Sequence, residues 1–283
     1  MTIDLKELDE RNRESWRRAA SGWEKWQESM REGTEPVTSW LLHAIDPQPG
    51  QRVLELAAGP GETGFAAAQR IGPDGSLICT DQSDEMVAVA RRRAAELGLE
   101  NVEFMVLDAQ KLGLESDCVD AVVCRWGYML MAEPHAALRH TWRVLRPGGR
   151  LALATWDTPD RNLWMATPAI QLVARGLMPP PDPTAPGPFS MPDLEALAQR
   201  LVDAGFDDAR GEKLEFEFRY PDFDTYWEMT FDLAAPIAQV LASSDASAVS
   251  EVRDAVRAAL AQFEGADGEI AVPASAVVAT ATA

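Results

Sequence analysis

The sequence predicts an α/β protein built on a mostly parallel sheet with helices on both faces. Three observations lead there. Short apolar runs alternate with helical patterns between Val53 and Thr155. The first run, Val53-Leu54-Glu55-Leu56-Ala57-Ala58, passes straight into a G-x-G-x-x-G loop formed by Gly59, Gly61 and Gly64. Asp81 stands 22 residues beyond Gly59, at the end of a second apolar run. A glycine turn that opens a helix presents free N–H groups to negative charge, and a carboxylate at the next strand end suits the two hydroxyls of a ribose. Together they describe a nucleoside cofactor held between adjacent parallel strands.

The elements follow in order. Residues 5–31 read as one helix, with a single glycine, no proline, and Trp16, Trp23 and Trp26 within reach of one face. That helix either docks on the domain or lies over the cofactor cleft as a lid, with Trp23 touching ligand. A second helix, 37–45, starts after Pro36 and stops before Pro47-Gln48-Pro49-Gly50. The first strand begins after that turn. Residues 76–80 form the second strand and lead to Asp81. Ser83 caps a helix that ends at Gly98, with Arg91-Arg92-Arg93 as its solvated face. Residues 102–107 form the third strand, ahead of Asp108-Ala109, and 120–124 the fourth. Residues 136–144 are helical, Arg146-Pro147-Gly148-Gly149 a sharp turn, and 150–155 the fifth strand. Beyond Asp157 the pattern changes. Residues 178–192 contain seven prolines and read as a stiff surface loop. Residues 193–204 are an amphipathic helix, 213–220 a half-buried strand near a sheet edge, 223–263 helical, and 270–282 a strand.

Composition narrows the function. The 283 residues carry 45 Asp and Glu against 26 Lys and Arg, a formal charge of −19. That balance disfavours nucleic acid and anionic membranes as partners and favours small-molecule chemistry. The start, Met-Thr-Ile-Asp-Leu-Lys-Glu-Leu, lacks a basic region followed by an apolar run, and no stretch reaches membrane-spanning length, so a cytoplasmic location is expected. Cys79, Cys118 and Cys124 form no C-x-x-C pair, and no metal motif is present.

The chain resembles the class I S-adenosylmethionine-dependent methyltransferases, in the type 11 group similar to ubiquinone and menaquinone biosynthesis enzymes. The matching residues are Val53 through Gly61, Asp81 after Ile78-Cys79-Thr80, Asp108-Ala109, and Arg143-Val144-Leu145-Arg146-Pro147-Gly148-Gly149-Arg150-Leu151. Ala57 departs from the pattern, standing where the family's first glycine falls. The resemblance implies a Rossmann-like, seven-stranded, mostly parallel sheet with a reversed last strand. It divides the chain into an N-terminal helical lid (1–46), an S-adenosylmethionine-binding core (47–156), and a remainder (157–283) that completes the sheet around an inserted helical cap (223–263). Glu55 and the backbone of Ala57, Gly59 and Gly61 would meet the cofactor's amino-acid end. Asp81 would hold its ribose, Met86 its adenine face, and Asp108 and Ala109 the adenine edge, with Gln82 a further cofactor-binding candidate. Cys124 and Arg125 end the fourth strand beside it. Arg125 is open to pairing with a carboxylate of cofactor or acceptor, or with a neighbouring acid.

Methyl transfer is an in-line displacement that needs alignment and exclusion of water rather than a metal. A general base would help with a hydroxyl or an acidic carbon, and His135 and Tyr128 are the candidates at the right edge, with His43 and His140 read as surface or packing residues. Trp126, Tyr128, Met129, Met131, Trp156, Asn162, Trp164, Phe189 and Trp227 form an aromatic and methionine-rich set suited to a flat or lipophilic acceptor. The expected partner is a small-molecule methyl acceptor; a homodimer is left open. Two other functions compete: a nicotinamide-dependent oxidoreductase, for which no Tyr-x-x-x-Lys pair is evident, and a non-catalytic cofactor-binding protein.

Overall fold

The seven strands form one sheet in the order β3-β2-β1-β4-β5-β7-β6. They are β1 (Arg52–Glu55), β2 (Ser76–Asp81), β3 (Val102–Val106), β4 (Val119–Arg125), β5 (Leu145–Trp156), β6 (Asp207–Tyr220) and β7 (Ile270–Thr282). The computed structural model describes residues 5–283. The first four residues of the expected 1–46 segment, and with them the beginning of the expected leaderless start, lie outside the described residues. β1 to β5 pair in parallel, whereas β7 runs antiparallel to both β5 and β6. The reversed strand expected at the end of the chain is therefore present. Among the described residues, no helix is long and apolar enough to cross a membrane.

The sheet is covered as its apolar runs require. β1, β4 and the paired part of β5 are buried on both faces, which is why their sequences read as nearly unbroken runs. Helices α3 (Glu35–Ile45), α4 (Glu62–Ile71) and α5 (Asp84–Glu96) pack on the strands together with α6 (Pro134–Val144) and α8 (Leu194–Asp203). Local chemistry sets their ends. Ser83 accepts from the Met86 amide and caps α5, and Asp193 accepts from Ala196 and caps α8. Helices α9 (Phe223–Leu233), α10 (Ala235–Ala242) and α11 (Ala246–Leu260) stand between β6 and β7 in the chain.

Several expectations need correcting. The first helix is two, α1 (Leu5–Lys25) and α2 (Gln27–Gly33), and Trp26 sits at the break. Its indole N–H donates to Asp232 on α9, so Trp26 turns away from the Trp16–Trp23 pair. α3 starts before Pro36, because proline in a first turn forfeits no helical bond. Residues 146–149 do not form a separate turn. Leu145 pairs with Val119 and Arg150 with Ala121, so these residues bulge out of β5, with Gly148 at φ 82°. A helix at Leu163–Ala174, α7, was not expected, since Pro168 lies inside it. Pro168 cannot donate to the Trp164 carbonyl, and the Tyr226 hydroxyl takes that place at 2.8 Å. Arg93 is not on a solvated face: it pairs with the buried Glu62 at 2.8 Å.

Candidate active site

The carboxyl ends of β1, β2 and β4 meet at the glycine loop. Three consecutive contacts pin the loop: Ala58 N–H donates to Thr80 O, Gly59 N–H to Asp81 Oδ2, and Gly61 N–H to Ala58 O, each at 2.9 Å. These amides are thus not all free to meet a ligand, as the sequence had suggested for Ala57 to Gly61. The loop is left-handed at Ala57 (φ 51°), Gly59 (φ 55°) and Gly61 (φ 91°). A side chain at Gly61 would strike the Phe65 ring, whereas a Cβ at Gly59 would meet nothing within 4 Å. The turn is therefore packed from beneath and open at Gly59.

Asp81 is 8% exposed, and its two oxygens accept from Gly59 N–H and Ser83 N–H, both at 2.9 Å. Each oxygen keeps a lone pair. Burial raises its pKa, and the backbone donors of Ser83, Gly59 and Gln82 pull the other way. Glu55 is more deeply placed. One oxygen accepts from Gly64 N–H at 2.9 Å, the other has no partner among the described residues, and burial pushes its pKa up to about 8. Gly64 must be glycine, since a Cβ there would collide with the Glu55 carboxylate.

The opposite wall comes from β2, β3 and α1. A 360 Å³ cleft is lined by Arg13, Arg17, Gln82, Asp84, Val106, Leu107 and Asp108. Met86 is buried with Ala20 and Val89, and Trp16 and Trp23 pack on them, which brings two of the sequence candidates together. Asp108 accepts from the Gln110 amide at 2.9 Å and from its side chain at 3.0 Å; Ala109 follows, buried. Gln110 was missed in the sequence. It also accepts from Glu133 N–H and donates to Asp9, joining three separate segments around Asp108. α1 runs across this edge: Asn12 donates to Leu130 O, Arg17 pairs with Asp84 and Glu85, and Lys25 with Glu228 and Asp232.

At the exit of β4, Cys124 is buried, and desolvation pushes its thiol up to about 12. Arg125 hydrogen-bonds Thr34 and Thr38 and lies over the Trp126 ring at 4.9 Å, so the acid partner considered for it is replaced by two hydroxyls. Trp126 is left-handed (φ 61°), a costly conformation for a bulky residue, and stacks on Trp156 at 4.1 Å. Trp164, Phe216 and Phe218 extend that stack. Trp227 instead packs with Phe223 and Phe231 on α9. Met129 is buried in the core and Met131 packs on it, both in the β4–α6 connection, and the Met129 carbonyl accepts from Gly187 N–H and the Ser190 hydroxyl, docking the proline loop that carries Phe189. Asn162 does not offer itself to a ligand, for its amide stitches Asp157 and Thr158 to Ser275. Tyr128 is fully buried with its hydroxyl on Thr141 at 2.6 Å, and burial raises its pKa well above the phenol range, which opposes the role of base. His135 is exposed on the first turn of α6.

Sheet order, reversed seventh strand, glycine loop and strand-end carboxylate together define the class I methyltransferase type of α/β fold. A family model described as a methyltransferase domain matches residues 47–174. The ubiquinone/menaquinone biosynthesis C-methyltransferase UbiE of Pseudomonas syringae pv. tomato is 31% identical over 183 residues, 59% of this chain and 71% of that protein. An arsenite methyltransferase of Halobacterium salinarum is 40% identical over 106 residues, 38% of this chain; the match spans only 27% of that protein's length. The YcgJ protein of Bacillus subtilis shares the fold, with a TM-score of 0.57 at 20% identity, over 87% of this chain and 97% of that one. The chain belongs to the class I S-adenosylmethionine-dependent methyltransferases.

Proposed function

We propose that this protein transfers a methyl group from S-adenosylmethionine to a small, apolar or aromatic acceptor. The observation that carries the reading is the open turn at Gly59 beside Asp81, whose carboxylate keeps a lone pair on each oxygen. When bound, S-adenosylmethionine supplies an electrophilic methyl carbon on a good leaving group. Asp81 would hold the ribose hydroxyls with Gln82 beside it, Met86 and Trp23 would pack against the base, and Asp108 would accept from the adenine amino group next to the Ala109 amide. α1 serves as a lid that excludes water.

The acceptor would rest against Trp126, Trp156 and Trp164 near Met129. Phe189 on the proline loop closes the outer side, and Trp227 supports the cap formed by 223–263. The names of the relatives, a ubiquinone/menaquinone biosynthesis C-methyltransferase and an arsenite methyltransferase, support transfer to a small molecule. The net charge of −19 argues against a nucleic-acid acceptor. Of the two candidate bases we retain His135, which is exposed, over Tyr128, whose hydroxyl is held by Thr141.

Titration calorimetry tests the reading. The wild type is expected to bind S-adenosylmethionine and S-adenosylhomocysteine, and Asp81→Ala to weaken both at least about tenfold. Tight binding of NADH with none of the sulfonium would overturn it. Radiolabelled methyl transfer into metabolite extracts then identifies the acceptor, and persistent absence of product despite cofactor binding would favour a non-catalytic protein.

A further inference from the structure

Trp126 and Trp164 each bury an indole N–H that no protein group accepts among the described residues. A buried indole N–H ordinarily finds an acceptor, because leaving it bare forfeits its bond to water. The same chain does pair two others: Trp26 donates to Asp232 at 2.8 Å and Trp40 to Glu212 at 2.7 Å. Ring packing does not satisfy the Trp126 donor. Its plane lies 10° from that of Trp156 with centroids 4.1 Å apart, and an indole N–H lies in the plane of its own ring, so it runs alongside Trp156 and not onto its face. Trp164 stands at 67° to Trp156 and 5.4 Å away, which leaves its donor at most an aromatic face, a weaker partner than an oxygen. Trp126 is moreover 8% exposed and held left-handed, a strained conformation of the kind that gathers at ligand sites.

The position of these donors says what they would meet. Trp126 follows β4 directly, and a Cβ built on the next residue, Gly127, would lie 2.7 Å from Ala57 Cβ, which sets this end of the strand against the glycine loop. Trp156 closes β5 opposite Ala276, whereas β6 and β7 run on past it as a two-stranded ribbon that pairs Phe216 with Ala274 and Phe218 with Val272. Phe216 packs on Trp156, and Phe218 on Trp164. The walls are therefore flat rings, and the two indole donors are polar points set among them. The Arg125 guanidinium, 4.9 Å from the Trp126 ring, makes the local field positive and favours an oxygen over a protonated amine. We propose that the methyl acceptor is an aromatic ring bearing a carbonyl or phenolic oxygen, and that the Trp126 and Trp164 indoles donate to its oxygen substituents. The inference rests on the methyltransferase reading above and adds polar selection to it.

The rival role is plain packing, in which the rings fill space and their N–H groups stay unpaired. Two probes of one shape, 2-naphthol and 2-methylnaphthalene, separate the roles when titrated into the full chain saturated with S-adenosylhomocysteine. In nitrogen-15 NMR spectra the indole N–H signals of Trp126 and Trp164 are expected to move downfield with 2-naphthol and not with 2-methylnaphthalene. Trp126→Phe, which keeps a ring and loses the donor, is expected to weaken 2-naphthol by about five- to tenfold and to change 2-methylnaphthalene by less than about twofold. Trp164→Phe should show the same selectivity; the two variants also assign the signals, and the wild-type spectra stand by themselves if a variant does not fold. Equal weakening of both probes, indole signals unmoved by 2-naphthol, or a wild type that binds neither probe would overturn the proposal. Failure of the wild type to bind S-adenosylhomocysteine at the outset would instead overturn the methyltransferase reading.

Discussion

The Gly59 amide donates to Asp81 Oδ2 across 2.9 Å, so the turn after β1 and the end of β2 are held as one unit. Both Asp81 oxygens face N–H donors, the second being Ser83. An isosteric amide cannot satisfy both, because its NH₂ would oppose one of them. Asp81→Asn is therefore expected to lose about 1–3 kcal/mol of stability and to bind S-adenosylhomocysteine little better than Asp81→Ala. Thermal melts and calorimetry on the two variants check this.

Ala57 and Gly61 are both left-handed, yet they should respond oppositely to exchange. Ala57→Gly removes a Cβ from a disfavoured conformation and is expected to be neutral or to stabilise by up to about 1 kcal/mol. Gly61→Ala adds one against Phe65 and is expected to destabilise by about 1–3 kcal/mol. Denaturant midpoints report both signs.

Glu55 gives the stability a pH dependence. Its pKa lies at about 8 in the folded protein against an ordinary 4.5, so between those values the unfolded chain releases a proton that the folded chain keeps. Stability should fall as pH rises from about 4.5 to about 8 and level off above, and Asp81, also raised, adds the same sign at lower pH. Glu55→Gln keeps an acceptor for the Gly64 amide and should flatten the decline relative to wild type. Urea titrations across that range measure the difference.

The ion pairs of α1 are exposed, with Arg17, Lys25 and Arg92 bonded to Asp84, Glu228 and Glu24. Pairs of this kind contribute about 0–1 kcal/mol each and are screened by salt. Arg17→Ala is expected to leave the melting temperature within about 2 °C while speeding release of S-adenosylhomocysteine, as is raised ionic strength. Stopped-flow displacement gives the rate.

Much of the fold was legible because β1, β2, β4 and the paired part of β5 are runs buried on both faces, separated by helices of which α5 carries a side-chain cap at Ser83. The glycine loop and Asp81 were legible because a left-handed turn and a strand-end acid leave residue types behind. What was hidden depended on contacts between distant segments. Gln110 matters through Asp9, Asp108 and Glu133 together, and Arg125 through Thr34 and Thr38. α7 was masked by Pro168, whose lost bond is replaced from α9 by Tyr226. The start of β6, Asp207-Asp208-Ala209-Arg210, is polar because an outer strand is wetted on its free side, so it read as a loop.

The place of β7 bears on how the chain folds during synthesis. The strand between β5 and β6 is the last of the seven to be translated, with about a hundred residues separating it from β5. Until it emerges from the ribosome, the hydrogen-bonding side of β5 is a bare template beside a finished parallel half-sheet. A nascent chain stalled at that point would be sticky toward its neighbours on the same messenger, and chaperone capture should peak while residues 160–260 are being made.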